Sequence, residues 1–434
     1  MNRLVGLVSF LFISALLARF ALADEIIEEV IVQSAIVKSE VSTIADPLHV
    51  ISEAKLSSNP SQSLGETIDS LLGVASADYG AAVGQPIIRG MSGTRVRVLN
   101  NGMVIRDVTS LGADHVNEVD FNHAQQVEII KGPASLLYTN GVIGGIVNVV
   151  DDTIARTDVE GVDISLGLET QSVNEGDAQT ASIATNIGGF NVFAAYSDSD
   201  LENYDVPDGA VIHEEEEHHD EDEHEGEEEH HDEEEHEEEI EYIDSDDSAT
   251  SFAVSLSRDM NENFSVNLGF ESVGRTPAAT EMLMNGPHLA TRRFEKGNPN
   301  LKAERSNNLD FTLNFQSQGY FGELTLFSNS VSDYIYLMDE TEEEHEEHED
   351  EHDDHGGLIL AEFLQQDADF TGYELEIGKT FDLSRGNLTL SYGRDSVTAE
   401  FSNGGNVPRI IPARNIYSIS VSYTHLTLPT ICSV

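Results

Sequence analysis

From residue 161 onward the side chains of this protein alternate between apolar and polar, in segments of about ten residues. Val162, Ile164, Leu166 and Leu168 are interleaved with Asp163, Ser165, Gly167 and Glu169. Phe264, Val266, Leu268 and Phe270 are interleaved with Ser265, Asn267, Gly269 and Glu271. Leu309, Phe311, Leu313 and Phe315 are interleaved in the same way with Asp310, Thr312, Asn314 and Gln316. Successive side chains of a strand point to opposite faces, so a period of two makes antiparallel sheet with one apolar and one polar face. Roughly ten or eleven such segments follow one another. A soluble β-sandwich and a membrane-spanning barrel both satisfy this pattern.

The start of the chain favours export. Arg3 supplies a positive charge, residues 4–17 are apolar, and Ala21-Leu22-Ala23 is a small-x-small cleavage site, so residues 1–23 are expected to be a signal peptide. That apolar run is short for a membrane span, and Arg19 interrupts its end. No later segment offers the run of about eighteen apolar residues that a transmembrane helix needs, whereas a closed β-barrel crosses hydrocarbon without one. Cys432 is the only cysteine, so no disulfide within the chain staples it. Tryptophan is absent, leaving 12 Tyr and 18 Phe to furnish the aromatic girdles of a barrel.

The net charge of −58 is concentrated. Residues 214–241 hold twenty acids and residues 339–354 twelve more, with no Lys or Arg in either stretch. Taking those 32 from the 80 acids leaves 48 against 22 Lys and Arg, an acidic but ordinary remainder. Such a chain repels nucleic acid and attracts cations. Eleven of the sixteen histidines sit in the same two tracts: His213, His218, His219, His224, His230, His231 and His236 in the first, and His345, His348, His352 and His355 in the second. Imidazole and carboxylate together bind divalent transition metals, and a flexible tract can offer three or four ligands without fixed spacing. His348-Glu349-Asp350-Glu351-His352 fits the H-E-x-x-H pattern of zinc proteases. That motif requires a rigid helix with an apolar face, and here like charges oppose a helix, so a protease is rejected.

Residues 45–155 have a different texture, that of a glycine-rich α/β domain. Short helical patterns such as 63–68 alternate with strand patterns such as Val96-Arg97-Val98-Leu99, and Asn101-Gly102 after that strand signals a hairpin. Within this domain, 127–138 reads Val-Glu-Ile-Ile-Lys-Gly-Pro-Ala-Ser-Leu-Leu-Tyr and 144–149 reads Gly-Gly-Ile-Val-Asn-Val. These stretches resemble the signature that closes the plug domain of TonB-dependent receptors. Pro86-Ile87-Ile88-Arg89-Gly90 and the stretch from Arg95 to Gly102 resemble two further plug motifs, in the family's order. Gly90 and Gly132 are suited to backbone conformations closed to other residues, and Pro133 to a fixed bend. Arg89 and Lys131 are expected only to help fold the plug.

The resemblance implies an α/β plug domain plus an antiparallel transmembrane β-barrel in the outer membrane of a Gram-negative bacterium, bathed in its lipid and carrying out no covalent chemistry. Glu28, Glu29, Val30, Ile31 and Val32 look like a TonB box on an arm at 24–44, an extended segment able to add as a strand to the TonB energy-transducing partner. The partial barrel would run over 156–423, with acidic His-rich loops at 213–241 and 339–355. The resemblance also nominates an ordered metal site. Asp114 and His115 match a pair in an apical plug loop of zinc-uptake members, and Asn285-Gly286-Pro287-His288-Leu289-Ala290-Thr291 matches their late barrel, so Glu281 and His288 would face the plug. Zinc, or another divalent transition metal, is then cargo rather than cofactor. The rival readings are the same fold importing a siderophore, haem, nickel or copper complex, and a periplasmic or surface metal-buffering β protein.

Two features depart from that pattern. A plug of about 110 residues needs a lumen of roughly 22 strands, about twice the number legible here. The shortfall is expected around 205–248, and the texture of 424–434 is anomalous for a final barrel strand, so the barrel is expected to be incomplete through internal deletion and truncation. The tracts themselves yield a prediction. A peptide covering residues 213–236 should bind several zinc ions weakly at neutral pH and lose most of them below about pH 6.5, where imidazole is protonated. Calorimetry showing full retention at pH 5 would assign the binding to carboxylates alone.

Overall fold

The computed structural model describes residues 31–32, 39–40, 48–58, 63–79, 83–105, 112, 114–115, 117, 119, 124–151, 159, 161–170, 172, 176–200, 249–340, 357–384 and 386–423. The expected signal peptide, Glu28, Glu29 and Val30 of the box, the eleven tract histidines and the tail after residue 423 lie outside them. Of the box, Ile31 and Val32 form strand β1 (Ile31–Val32), which pairs antiparallel with β2 (Ser39–Glu40). This part of the arm is therefore half of a small ladder, where a free extended segment was expected.

The α/β domain is built on β3 (Leu48–Ser52), β4 (Val74–Asp78), β5 (Gly84–Ile88), β6 (Val96–Asn100), β7 (Met103–Val104), β8 (Ala124–Ile130) and β9 (Gly145–Asp151). β3, β8, β9, β6 and β7 make a five-stranded sheet in that order, with β6 parallel to β9 and the other pairs antiparallel. β4 and β5 form a separate hairpin. The helical pattern at 63–68 folds as the helix Leu64–Ile68, with extended Ser63 accepting the Glu66 backbone N–H on its hydroxyl at 3.1 Å. Asn101 and Gly102 turn β6 into β7 with both residues at positive φ, the geometry that makes Asn-Gly the preferred two-residue hairpin.

Ten long strands follow: β10 (Val162–Thr170), β11 (Asp177–Ile187), β12 (Phe190–Asp200), β13 (Phe252–Asn261), β14 (Phe264–Arg275), then two short ones, β15 (Asn285–His288) and β16 (Arg293–Lys296), and β17 (Glu304–Ser317), β18 (Tyr320–Asp339), β19 (Ile359–Leu383), β20 (Gly386–Phe401) and β21 (Arg414–Tyr423). β10–β12 are one antiparallel sheet. β13, β14 and β17–β21 are a second, and the β15–β16 hairpin joins it through β16, parallel to β19. No ladder among the described residues links the two sheets, so the barrel is not closed, as its strand count requires.

Their polarity separates the two readings that periodicity left open. Along β17, Glu304, Ser306, Asn308, Asp310 and Thr312 are buried, while Leu309 and Phe311 are 50% and 38% exposed. Leu326 on β18, Ile377 on β19 and Ile419 on β21 are exposed likewise. A sheet with its polar face inside and its apolar face outside is stable against hydrocarbon, the reverse of a soluble sandwich.

The polar inner face exists because the plug fills it. The apolar part of that contact joins plug residues such as Ile88, Met91 and Val96 to Val331, Tyr334 and Phe370 of the sheet. Its polar part is ionic, which corrects the expectation that Arg89 and Lys131 serve only the plug's own fold. Gly90 and Gly132, at φ +80 and +73, turn the chain beside these cations. Arg89 donates to Asp310 and, at 2.9 Å, to Glu374, and Lys131 reaches the other Glu374 oxygen at 2.5 Å. Lys131 also donates to the Leu72 carbonyl at 3.0 Å and lies 3.0 Å from His49 Nε2. Burial, and then the charge of Lys131, hold the His49 pKa down to about 3, so its ring is a neutral acceptor. Arg95 pairs with Glu304, which Arg275 shares at 2.5 Å.

Two measurements check this arrangement. Glu374→Ala leaves Arg89 and Lys131 buried without their common carboxylate, which costs roughly 3–5 kcal/mol. It should release the plug to protease at clearly lower urea, and an unchanged urea midpoint would show that Glu374 does not hold the plug. The full chain should also migrate identically on gels with and without boiling, whereas a heat-dependent shift would demonstrate a closed barrel.

Candidate metal centre

Three side chains of the types that ligate metals meet at the long-loop end of the sheet. Asp114 and His115 come from the plug connection between β7 and β8, and His288 ends β15, in the long connection from β14 to β17. One ligand atom from each lies within 4.8 Å of the others, the only such group among the described residues. Local chemistry fixes each side. Gln85 donates its amide to the carbonyls of Gly112 at 2.6 Å and His115 at 3.1 Å, tying the plug loop to β5. Gly112 is required there, since a Cβ would come within 2.5 Å of Asp114 Oδ1 and 2.6 Å of His288 Cε1. The β15–β16 register sets Gly286 opposite Glu295, so His288, two residues on, shares Glu295's face.

His288 is held at both ring nitrogens. Nε2 lies 3.0 Å from Asp114 Oδ2 and Nδ1 lies 2.8 Å from Glu295 Oε1. The His115 ring stacks on it, with centroids 5.7 Å apart and planes inclined by 14°. Burial pulls the His288 pKa down, but the hydrogen bonds and charges of Glu295 and Asp114 outweigh it, and the net shift is upward. Two carboxylates can only accept, so the metal-free ring is favoured as imidazolium. A group with a raised folded pKa contributes its stability below the unfolded value and loses it as pH rises through the folded one. The metal-free clasp between plug and loop therefore weakens toward alkaline pH.

The donor set suits a divalent transition metal. With Nδ1–H donated to Glu295, Nε2 is free to ligate, and a carboxylate behind a ligating histidine orients the ring and raises its basicity. Asp114 Oδ1 is buried with no hydrogen-bond partner among the described residues, an acceptor with nothing to accept. Two imidazoles and one carboxylate leave a fourth position of a tetrahedron open.

Of the residues nominated from the sequence, the structure thus brings together Asp114, His115 and His288. It does not bring Glu281 to them. The Glu281 carboxylate takes Arg275 at 2.9 and 3.1 Å and the Ala278 backbone N–H at 2.7 Å. It is a latch for the helix Ala279–Leu283, because a buried carboxylate goes to the nearest cation. Glu295 was missed. Its position in Arg293-Phe294-Glu295-Lys296 carries no compositional signal, and only the hairpin register reveals its role.

The plug domain of TonB-dependent receptors matches residues 40–146, and the TonB-dependent receptor-like β-barrel matches residues 224–430. This chain belongs to the TonB-dependent receptor family. Members of that family are β-barrel proteins of the Gram-negative outer membrane, transporters and not enzymes. The vitamin B12 transporter BtuB of Vibrio vulnificus is 26% identical over 161 residues, which are 37% of this chain and 26% of that protein, so the match spans about a quarter of the relative's length. Among solved structures, the siderophore receptor PirA from Pseudomonas aeruginosa superposes with a TM-score of 0.52 at 14% identity, covering 87% of this chain and 92% of that one. The copper transporter OprC does so with 0.57 at 10% identity, covering 86% and 84%. At these identities the likeness is one of fold alone.

Proposed function

We propose that this receptor takes up a bare transition-metal cation, zinc foremost, across the outer membrane with energy from the TonB system. The observation that carries the reading is the Asp114–His115–His288 cluster, with Glu295 behind it and one Asp114 oxygen unpartnered. The acidic His-rich tracts gather cations from outside, at low affinity and high capacity. The cluster then receives one ion with the two imidazoles and the carboxylate. Its ligands belong to two bodies, Asp114 and His115 to the plug and His288 to the sheet's long connection. A pull on the arm at 24–44 that shifts the plug separates the ligand set, and an ion left with a partial set dissociates inward. Copper(II) competes for the same nitrogen and oxygen donors, since the affinity order of divalent metals places it above zinc.

Titration of the full chain with zinc and with copper tests this. His288→Ala and Asp114→Asn should each weaken the tight site by at least about tenfold, and Glu295→Gln by about 10–100-fold through loss of ring orientation. Glu281→Gln, which removes no ligand atom, should change affinity by less than any of these. Affinity should fall as pH drops through the raised pKa of His288, because the proton and the metal compete for Nε2. A tight site that survives His288→Ala would remove the assignment.

A further inference from the structure

The outward face of the sheet carries a built feature that metal uptake does not use. Around Gly322 of β18 the apolar surface is hollowed into a depression walled by Leu313, Phe315, Tyr320, Leu324, Ile377 and Lys379. The strand registers explain it. Phe315, Gly322 and Ile377 are directly paired across β17, β18 and β19, so a residue without a side chain stands between two large ones. A Cβ on Gly322 would meet only the Glu376 carbonyl at 3.3 Å and an Ile377 methyl at 3.6 Å. The face is the lipid side, since Tyr320, Leu326 and Ile377 are exposed while Thr325 and Glu374, one pleat away, are buried.

Lys379 closes one end of this depression. Its ammonium donates to the Tyr320 hydroxyl at 2.9 Å and lies 4.0 Å from the Tyr320 ring centroid and 4.8 Å from that of Phe381. None of these partners carries a charge. The site lies beside the short turns joining β17 to β18 and β19 to β20, and short turns mark the periplasmic rim. A lysine at such a rim is placed where the phosphates of the inward-facing leaflet lie, with its aliphatic stem along the apolar wall.

We propose that the Gly322 depression holds one anionic glycerophospholipid of the periplasm-facing leaflet, its phosphate on Lys379 and one acyl chain in the hollow. Charge complementarity selects this occupant, because a cation with no carboxylate partner among the described residues, at the mouth of an apolar groove, matches a ligand that is anionic at one end and aliphatic at the other. Arg394, also outward, is the internal control. It sits eight residues beyond the short turn and donates to Tyr373 Oη at 2.8 Å and Asn415 Oδ1 at 2.9 Å, toward the opposite rim.

Native mass spectrometry of the full chain, equilibrated with mixed phosphatidylglycerol and phosphatidylcholine of matched chains, tests the proposal. One phosphatidylglycerol should be retained at about fivefold its bulk fraction, the scale of one lysine at an anionic lipid surface. Lys379→Gln and Gly322→Leu, which removes the cation or fills the hollow, should each return the ratio to bulk. Arg394→Gln should leave it unchanged. Should Gly322→Leu fail to fold, Lys379→Gln decides alone. Absence of enrichment in the parent chain, enrichment that survives Lys379→Gln, or enrichment that depends on Arg394 instead overturns the assignment.

Discussion

Three plug cations, Arg89, Arg95 and Lys131, are buried where water cannot solvate them, and the rest of the molecule is arranged around that fact. An ionised group in a low-dielectric interior persists only when opposite charge and hydrogen bonds surround it. The carboxylates come from β17 and β19, through Glu304, Asp310 and Glu374, each on the inward pleat of its strand. Arg89 and Arg95 also lie over the rings of Phe327 and Tyr334, 4.5 and 4.0 Å from the centroids, which adds cation–π attraction to the ion pairs. The same contacts fix which residues of the sheet can be polar, and hence the register of its alternation.

That register explains why the sheet is inside out relative to a soluble protein. A polar inner face is tolerable only while a hydrophilic body fills it, and an apolar outer face only while lipid covers it. Both conditions hold along β14 and β17–β20, where the plug is docked. β10 lacks the first, since Asp163 and Ser165 are exposed on one face just as Val162, Ile164, Leu166 and Leu168 are on the other. The three-stranded sheet therefore has the lipid-facing pattern of a barrel wall without the interior that would justify it.

The metal centre depends on the same docking. Asp114 and His115 reach His288 because the ionic contacts hold the plug at a fixed height against the strands that lead into the β15–β16 connection. Arg275 links the two regions: it shares Glu304 with Arg95 of the plug and grips Glu281 at the base of the connection that carries His288. A residue nominated as a ligand thus becomes a support for one. The chemistry that made Glu281 a plausible ligand, a carboxylate facing the plug, is the chemistry that Arg275 uses.

The sequence alone determined the class of structure. Period-two alternation, glycines at the turns of the plug motifs and the Asn101-Gly102 hairpin are local signals, written within a few residues, and each folds as the local pattern implies. It also determined that Asp114, His115 and His288 were worth pairing, though only through family resemblance, since they lie 173 residues and two domains apart. Only the tertiary structure decided which carboxylates met which cations. Glu281, Glu295, Glu304 and Glu374 are alike as residues, and their roles as latch, ring-orienter and plug anchors follow from register and burial. Those are set by strand pairing over long separations, and side-chain chemistry does not encode them locally. The polarity of the sheet is decided in the same way: alternation states that two faces differ, and only a docked plug says which of them is the inside.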